Sequence, residues 1–347
     1  MENKNLIRLG IIGCGGMSGN HRSAFEKLAD ICTVSATCDL IKERAQAVAD
    51  AVGAEFVCTD YHDMIGHVDA VLVVLPHHLH YECGMFFAEH GVHVLMEKPL
   101  CNTEEECLSL IRTCEEKNVK LMCAYPVRYW RGVQKLKELL DSGKYGRVMQ
   151  FSIWTEQWTD CEAFPWAKSA KLLGGGQLFS HGCHYIDILL WFLGKPVSGA
   201  HFGSNIGTPW MEKEGTSNVV MNFENGAMAY HFATWGARGS QHGYTFQVFT
   251  DKGFFEYNHG NATLLFKCNN HPDPDMTPIE TWNFLDHSKQ TQYEIRHFLE
   301  CIKEDKRPLT DGWESLQSLR VIWKLYEAEE NGSLADLRGL GLPERND

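Results

Sequence analysis

Five apolar runs, Leu6–Ile12, Thr33–Cys38, Asp69–Leu75, Val92–Met96 and Val119–Ala124, alternate with helical stretches through the first 124 residues. Runs without polar alternation suit strands covered on both faces, as in a parallel sheet. Parallel neighbours need a long crossover, usually a helix, and that crossover is right-handed. The pattern therefore predicts an α/β fold with a doubly wound parallel sheet over residues 1–125. After Tyr125 the rhythm changes. Val148–Trp158, Ala200–Ile206, Ser217–Phe223, Ala227–Thr234, Thr245–Thr250 and Gly253–Asn258 alternate polar and apolar residues between Gly/Asn turns. Asn225-Gly226 is a strong hairpin signal. Residues 126–347 are expected to form a second α/β domain with a large open, mostly antiparallel sheet. Helices are expected at Val133–Leu140, Gln177–Phe192, Gln290–Glu304 and Trp313–Glu330, the last lying within a segment, 310–335, that packs near the first domain. Gly339–Asp347 reads as a loose tail.

Composition narrows the function. A net charge of −13 over 347 residues disfavours nucleic acid as a partner, since phosphate binding needs a basic face. No run of about 18 apolar residues and no leader-like start is present, so a soluble cytoplasmic protein is expected. The 13 cysteines include no CxxC pair, which favours reduced thiols over disulfides or a zinc ribbon.

Three strand ends carry candidate chemistry. Leu6–Ile12 runs into Gly13-Cys14-Gly15-Gly16-Met17-Ser18, followed by a helical pattern. Gly13 permits a tight turn, Gly15 permits backbone approach to a pyrophosphate at a helix N-terminus, and Ser18 replaces the third glycine with another small residue. Asp39, at the end of the next strand, is placed for an adenosine ribose and would repel a 2′-phosphate, so NAD is expected over NADP. Pro76-His77-His78-Leu79-His80 follows the third strand, and a polar cofactor-lining loop is favoured over a metal site. Glu97-Lys98-Pro99 ends the fourth strand, at the sheet edge where open α/β folds bind ligands. Further on, Gly174-Gly175-Gly176 opens a helix bearing Ser180, His181, His184 and Asp187; Ser180 and His184, four apart, share a face.

With these residues in view, the chain resembles the Gfo/Idh/MocA oxidoreductase family over nearly its whole length. The carriers are Gly10–Met17, Pro76–His80, Glu97-Lys98-Pro99, Gly174–Gly176 with His184-Tyr185-Ile186-Asp187, and Pro308-Leu309-Thr310-Asp311-Gly312. The resemblance implies an N-terminal Rossmann domain, NAD(P), a sugar or cyclitol substrate, and a homo-oligomer, dimer or tetramer, built through the C-terminal sheet. It assigns Gly13, Gly15, Gly16 and Met17 to the pyrophosphate and Asp39 to the ribose. It sets Pro76, His77 and His80 along the nicotinamide, with Glu97 and Lys98 beside its ribose and the substrate. His184 matches the family's catalytic histidine. Many members carry aspartate four residues before it, where this chain has Ser180.

Oxidising a hydroxyl by hydride transfer needs a group to take the hydroxyl proton. Lys98 and His184 are the candidates. A serine cannot supply the charge of the usual aspartate, so His181 is expected to join the polar cluster. Tyr125, Arg128 and Trp166 are further substrate-binding candidates, with Ser180, because aromatic faces and a few polar arms suit a sugar ring. Other functions stay open: a glycoside-cleaving relative that oxidises its sugar transiently, and a non-catalytic NAD/sugar sensor. A metal enzyme using the histidines is the weakest reading.

Overall fold

The computed structural model describes residues 6–160, 162, 165–269, 277–284 and 290–341, with residues 20, 22 and 23 described by backbone alone. Of the expected tail, residues 342–347 lie outside this description. Contacts divide the chain into two compact units, Met1–Pro126 with Lys289–Leu316 and Val127–Ser288 with Gln317–Asp347.

The first unit is a six-stranded parallel sheet: β1 (Ile7–Ile12), β2 (Cys32–Cys38), β3 (Phe56–Cys58), β4 (Ala70–Val73), β5 (His93–Glu97) and β6 (Leu121–Ala124). Their spatial order is β3-β2-β1-β4-β5-β6. The order reverses beside β1, the switch point at which such sheets open a crevice for ligands. β4 is sealed on both faces, and β1 and β5 are so apart from Arg8 and His93 near their starts; Leu9, Val71, Leu72, Val94 and Leu95 are all 0% exposed. β3 is a sixth strand beyond the five predicted. At three residues, two of them part-exposed, its apolar run is too short to stand out as a strand.

The opposite edge, β6, is closed by residues almost 190 positions away. Cys123 N donates to Thr310 O at 2.8 Å, and Thr310 Oγ1 donates back to Cys123 O at 2.7 Å. Asp311 bridges to Met122. An edge strand's unpaired groups are thus satisfied internally.

The second unit is built on nine strands. These are β7 (Val148–Glu156), β8 (Pro196–Ser204), β9 (Thr216–Phe223), β10 (Met228–Thr234), β11 (Tyr244–Thr250), β12 (Phe254–Asn258), β13 (Thr263–Lys267), β14 (Ile279–Asn283) and β15 (Ala335–Asp336). They run in the order β14-β13-β12-β11-β7-β10-β9-β8-β15. Every pairing is antiparallel except β7 with β10, whose long connection leaves room for a crossover. Alternation sends Phe151, Ile153, Val219, His231 and Phe246 to a buried face under the helix Cys183–Leu193. The helix predicted over Gln177–Phe192 is broken in type. Leu178–Gly182 is π-helical, and only Cys183–Leu193 is α. The wider turn alters which side chains share a face, which a 3.6-residue period cannot anticipate.

Candidate active site

At the end of β1 the backbone of Gly13 takes φ of 90°, and a Cβ there would sit 2.2 Å from Val74 O, so only glycine fits. Gly13 N donates to Cys38 O at 2.9 Å, and Ser18 Oγ donates to Gly15 O at 2.6 Å. Around Gly15 and Gly16 a Cβ would meet nothing within 4 Å. The turn is therefore braced by the protein on one side and bare on the other, opening into the helix Ser18–Phe25. Asp39, at the end of β2, accepts from Cys14 N at 2.8 Å and from Ile41 N at 2.9 Å. Its carboxylate ties the two strand-end turns together while remaining half-exposed. An open glycine cradle at a helix start, with an anchored carboxylate beside it, fits a dinucleotide. Met17 is half-buried at the entrance of that helix.

Glu97 closes β5. It is 8% exposed, and His21 Nε2 lies 3.0 Å from its Oε1. Lys98 N donates to the other oxygen at 3.2 Å, and the Lys98 side chain is half-buried. His21 was not singled out from sequence. The available signal was its place one turn into the helix after the glycines. Among the three neighbouring histidines His78 is exposed, while His77 and His80 are buried. The resemblance set His80 along the nicotinamide. Its ring is fully buried, with Nδ1 2.8 Å from Pro99 O and Nε2 2.9 Å from Leu75 O. Pro76 is half-buried and Tyr125 fully buried. Among the described residues no three His, Cys, Asp or Glu side chains are arranged to hold a metal.

In the second unit the triple glycine is a packing device. A Cβ on Gly175 would lie 2.8 Å from Phe179 Cβ, and one on Gly176 would lie 2.1 Å from Glu214 Oε2. Glu214 Oε1 accepts from Leu178 N at 3.0 Å and from the Tyr326 hydroxyl at 2.7 Å. Gly176 N and Phe179 N in turn donate to that hydroxyl, at 3.1 and 3.2 Å. Burial pushes the Glu214 carboxyl above its ordinary value, while these donors pull it back.

The segment so held carries Ser180 and His184, both buried, and His181, half-buried. The His181 and His184 rings are 5.7 Å apart, and His181 lies 5.3 Å from Tyr185 and 6.0 Å from Tyr244. The Gln177 amide nitrogen is 3.3 Å from His181 Nδ1, an uncharged partner.

Two further substrate-binding candidates have protein partners of their own. The Arg128 guanidinium, 1% exposed, donates to both oxygens of Asp187, at 2.7 and 2.6 Å, and lies over Trp191. Its planar fork is matched to a carboxylate on the protein itself. Trp166 packs against an apolar cluster of Ala167, Leu173, Met211 and Trp235. Glu156, another polar residue of this region, accepts from Gln241 N and His242 N, both at 3.1 Å, and fixes a loop.

Residues 7–125 match the sequence model of an oxidoreductase family, GFO_IDH_MocA, described as having an NAD-binding Rossmann fold. Residues 133–256 match that of the GFO/IDH/MocA C-terminal domain. The chain is 26% identical to D-xylose 1-dehydrogenase (NADP(+)) 2 of Haloferax volcanii, over 85% of this chain and 89% of the relative. It is 24% identical to myo-inositol 2-dehydrogenase of Thermotoga maritima, over 90% of this chain and 93% of the relative. In fold it resembles levoglucosan dehydrogenase solved with NADH and levoglucosan, with a TM-score of 0.87 at 21% identity, covering 96% and 100% of the two chains. With both of its domain models matched in order along the chain, this protein belongs to the Gfo/Idh/MocA family of oxidoreductases.

Proposed function

We propose that this protein is an NAD-dependent dehydrogenase acting on a hydroxyl of a sugar, sugar derivative or cyclitol. The observation that carries the reading is the strand-end arrangement of the first unit, where a bare glycine turn, Asp39 and the Glu97–Lys98 pair follow β1, β2 and β5. Gly13, Gly15, Gly16 and Met17 would hold the pyrophosphate and Asp39 the adenosine ribose, which favours NAD over NADP. NAD, when bound, supplies the acceptor for hydride. Lys98 and His184 take up the hydroxyl proton in this reading, and His181 binds substrate beside Ser180 with its Nδ1 held by Gln177. The names of the relatives, a xylose and a myo-inositol dehydrogenase, support the substrate class.

The test is a panel of sugars, cyclitols and aryl glycosides with NAD, following both NADH absorbance and aglycone release. NADH formation with one class, abolished in Lys98→Ala and His184→Ala, supports the dehydrogenase. Aglycone release without NADH accumulation replaces it with redox-neutral cleavage. Silence throughout, with NAD still bound, replaces it with a sensor.

The same reading includes a homo-oligomer formed through the nine-stranded sheet. Its outer face carries Phe202, Val220, Met228 and Phe249, from 46% to 70% exposed, on four strands. Four exposed apolar side chains on one sheet face suit a covered surface. Light scattering should give a dimer or tetramer for the wild type and a smaller species for Val220→Glu. A monomeric wild type overturns the assembly. The 12 described cysteines, all buried thiols, suit a reducing cytoplasm.

A further inference from the structure

His80 is fully buried at the first position of the helix His80–Glu89, and each of its ring nitrogens faces a backbone carbonyl oxygen. Nε2 lies 2.9 Å from Leu75 O, just beyond β4, and Nδ1 lies 2.8 Å from Pro99 O, in the turn just beyond β5. A carbonyl oxygen only accepts. A neutral imidazole has one N–H, so it can satisfy one of these carbonyls and must point a lone pair at the other. An imidazolium donates to both.

We propose that His80 is a proton-dependent positioning residue, a clamp that draws the turn carrying Lys98 onto the end of β4 when both ring nitrogens are protonated and releases one side when one proton leaves. The groups that face it set the balance. Burial lowers its affinity for the second proton and Lys98 adds to that effect, while the Leu75 and Pro99 carbonyls and the Glu97 carboxylate oppose it. The His77 ring lies 5.7 Å away across the loop, and Glu82 lies in the first turn of the helix itself. Glu97, which accepts from Lys98 N, couples the clamp to the backbone of the lysine. The Lys98 turn is thereby held from two sides, by a carboxylate on its amide and by an imidazole on the following carbonyl.

Its consequence for turnover rests on the reading of Lys98 as a proton-transfer group, but the clamp itself does not. The test is nitrogen NMR of the whole apo protein labelled in histidine and lysine, titrated from about pH 4.5 to 8.5. The His80 ring resonances are expected to change from two protonated nitrogens to one, with a midpoint below that of a free histidine. The Lys98 backbone amide should follow the same midpoint, and His80→Gln should abolish that step in the Lys98 amide. A His80 ring that keeps one tautomer across the range, or a Lys98 amide that ignores its titration, overturns the clamp. A kinetic arm separates the two readings. His80→Gln should lower kcat about tenfold through the placement of Lys98. A shared titration with unchanged kcat keeps the clamp and discards the role given to Lys98.

Discussion

His21 Nε2 stands 3.0 Å from Glu97 Oε1, joining the helix that follows the glycine turn to the strand end that carries Lys98. Both groups are buried. Removing His21 leaves a buried carboxylate short of a partner, a loss of about 1–3 kcal/mol. His21→Ala should therefore unfold at lower urea, and Glu97→Ala in that background should cost less than in the wild type. Additive losses in the double-mutant cycle would show that the two do not act as a unit.

Arg128 and Asp187 should behave as one element of the second unit. Breaking a fully buried bidentate pair from one side strands the other charge, at about 3–5 kcal/mol. Arg128→Ala and Asp187→Ala should each lower the unfolding midpoint strongly, and Arg128→Met with Asp187→Leu should recover most of it. If Arg128→Ala kept full stability and lost only substrate affinity, the arginine would be a ligand after all.

The glycine turn yields a contrast between neighbours. Gly13→Ala meets Val74 O and a left-handed backbone, so it should destabilise the fold and abolish NAD binding together. Gly16→Ala meets no protein atom, so stability should change by less than about 0.5 kcal/mol. Its Kd for NAD, read by calorimetry, should nevertheless rise at least about tenfold if the pyrophosphate lies on that turn. An alanine at 16 that binds NAD normally moves the phosphates elsewhere.

Acid sensitivity has an identifiable contributor in His231. Burial pushes this imidazole from 6.5 down to about 3, with His201 adding a smaller effect in the same direction. Between those values the unfolded chain takes a proton that the folded protein refuses, so stability is present above about pH 6.5 and is lost as pH falls. The slope is at most about 1.4 kcal/mol per pH unit from this one group. Denaturation profiles of His231→Phe should be flatter over that window than the wild type. Equal slopes would assign the acid limb to other groups.

What could be read from sequence follows the range of each interaction. β1, β2, β4, β5 and β6 were legible because burial on both faces writes an apolar run, and Gly13 because a left-handed turn excludes side chains. β3 and β13–β14 were not, being short or only partly buried. The π turn at Leu178–Gly182 follows from packing at the triple glycine, which no periodicity contains. Partnerships across the chain were the hardest to see. The Arg128 carboxylate partner lies 59 residues away, and the partner of His21, which was not singled out, lies 76 away. Thr310 likewise closes β6 from 187 residues off.

Glu214 gives the second glycine cluster a different meaning from the first. Backbone N–H groups at the start of a helical segment attract an anion, and here the chain brings its own: a buried carboxylate fills the space beside Gly176 and accepts from Leu178 N. The turn at Gly13–Gly16 also meets a carboxylate, Asp39 on Cys14 N, but that group is half-exposed and a Cβ at Gly15 or Gly16 would still meet nothing within 4 Å. Two glycine-rich helix entrances therefore differ in use: an internal acid fills the one beside Gly176, while the one at Gly15 and Gly16 is the seat proposed for the pyrophosphate.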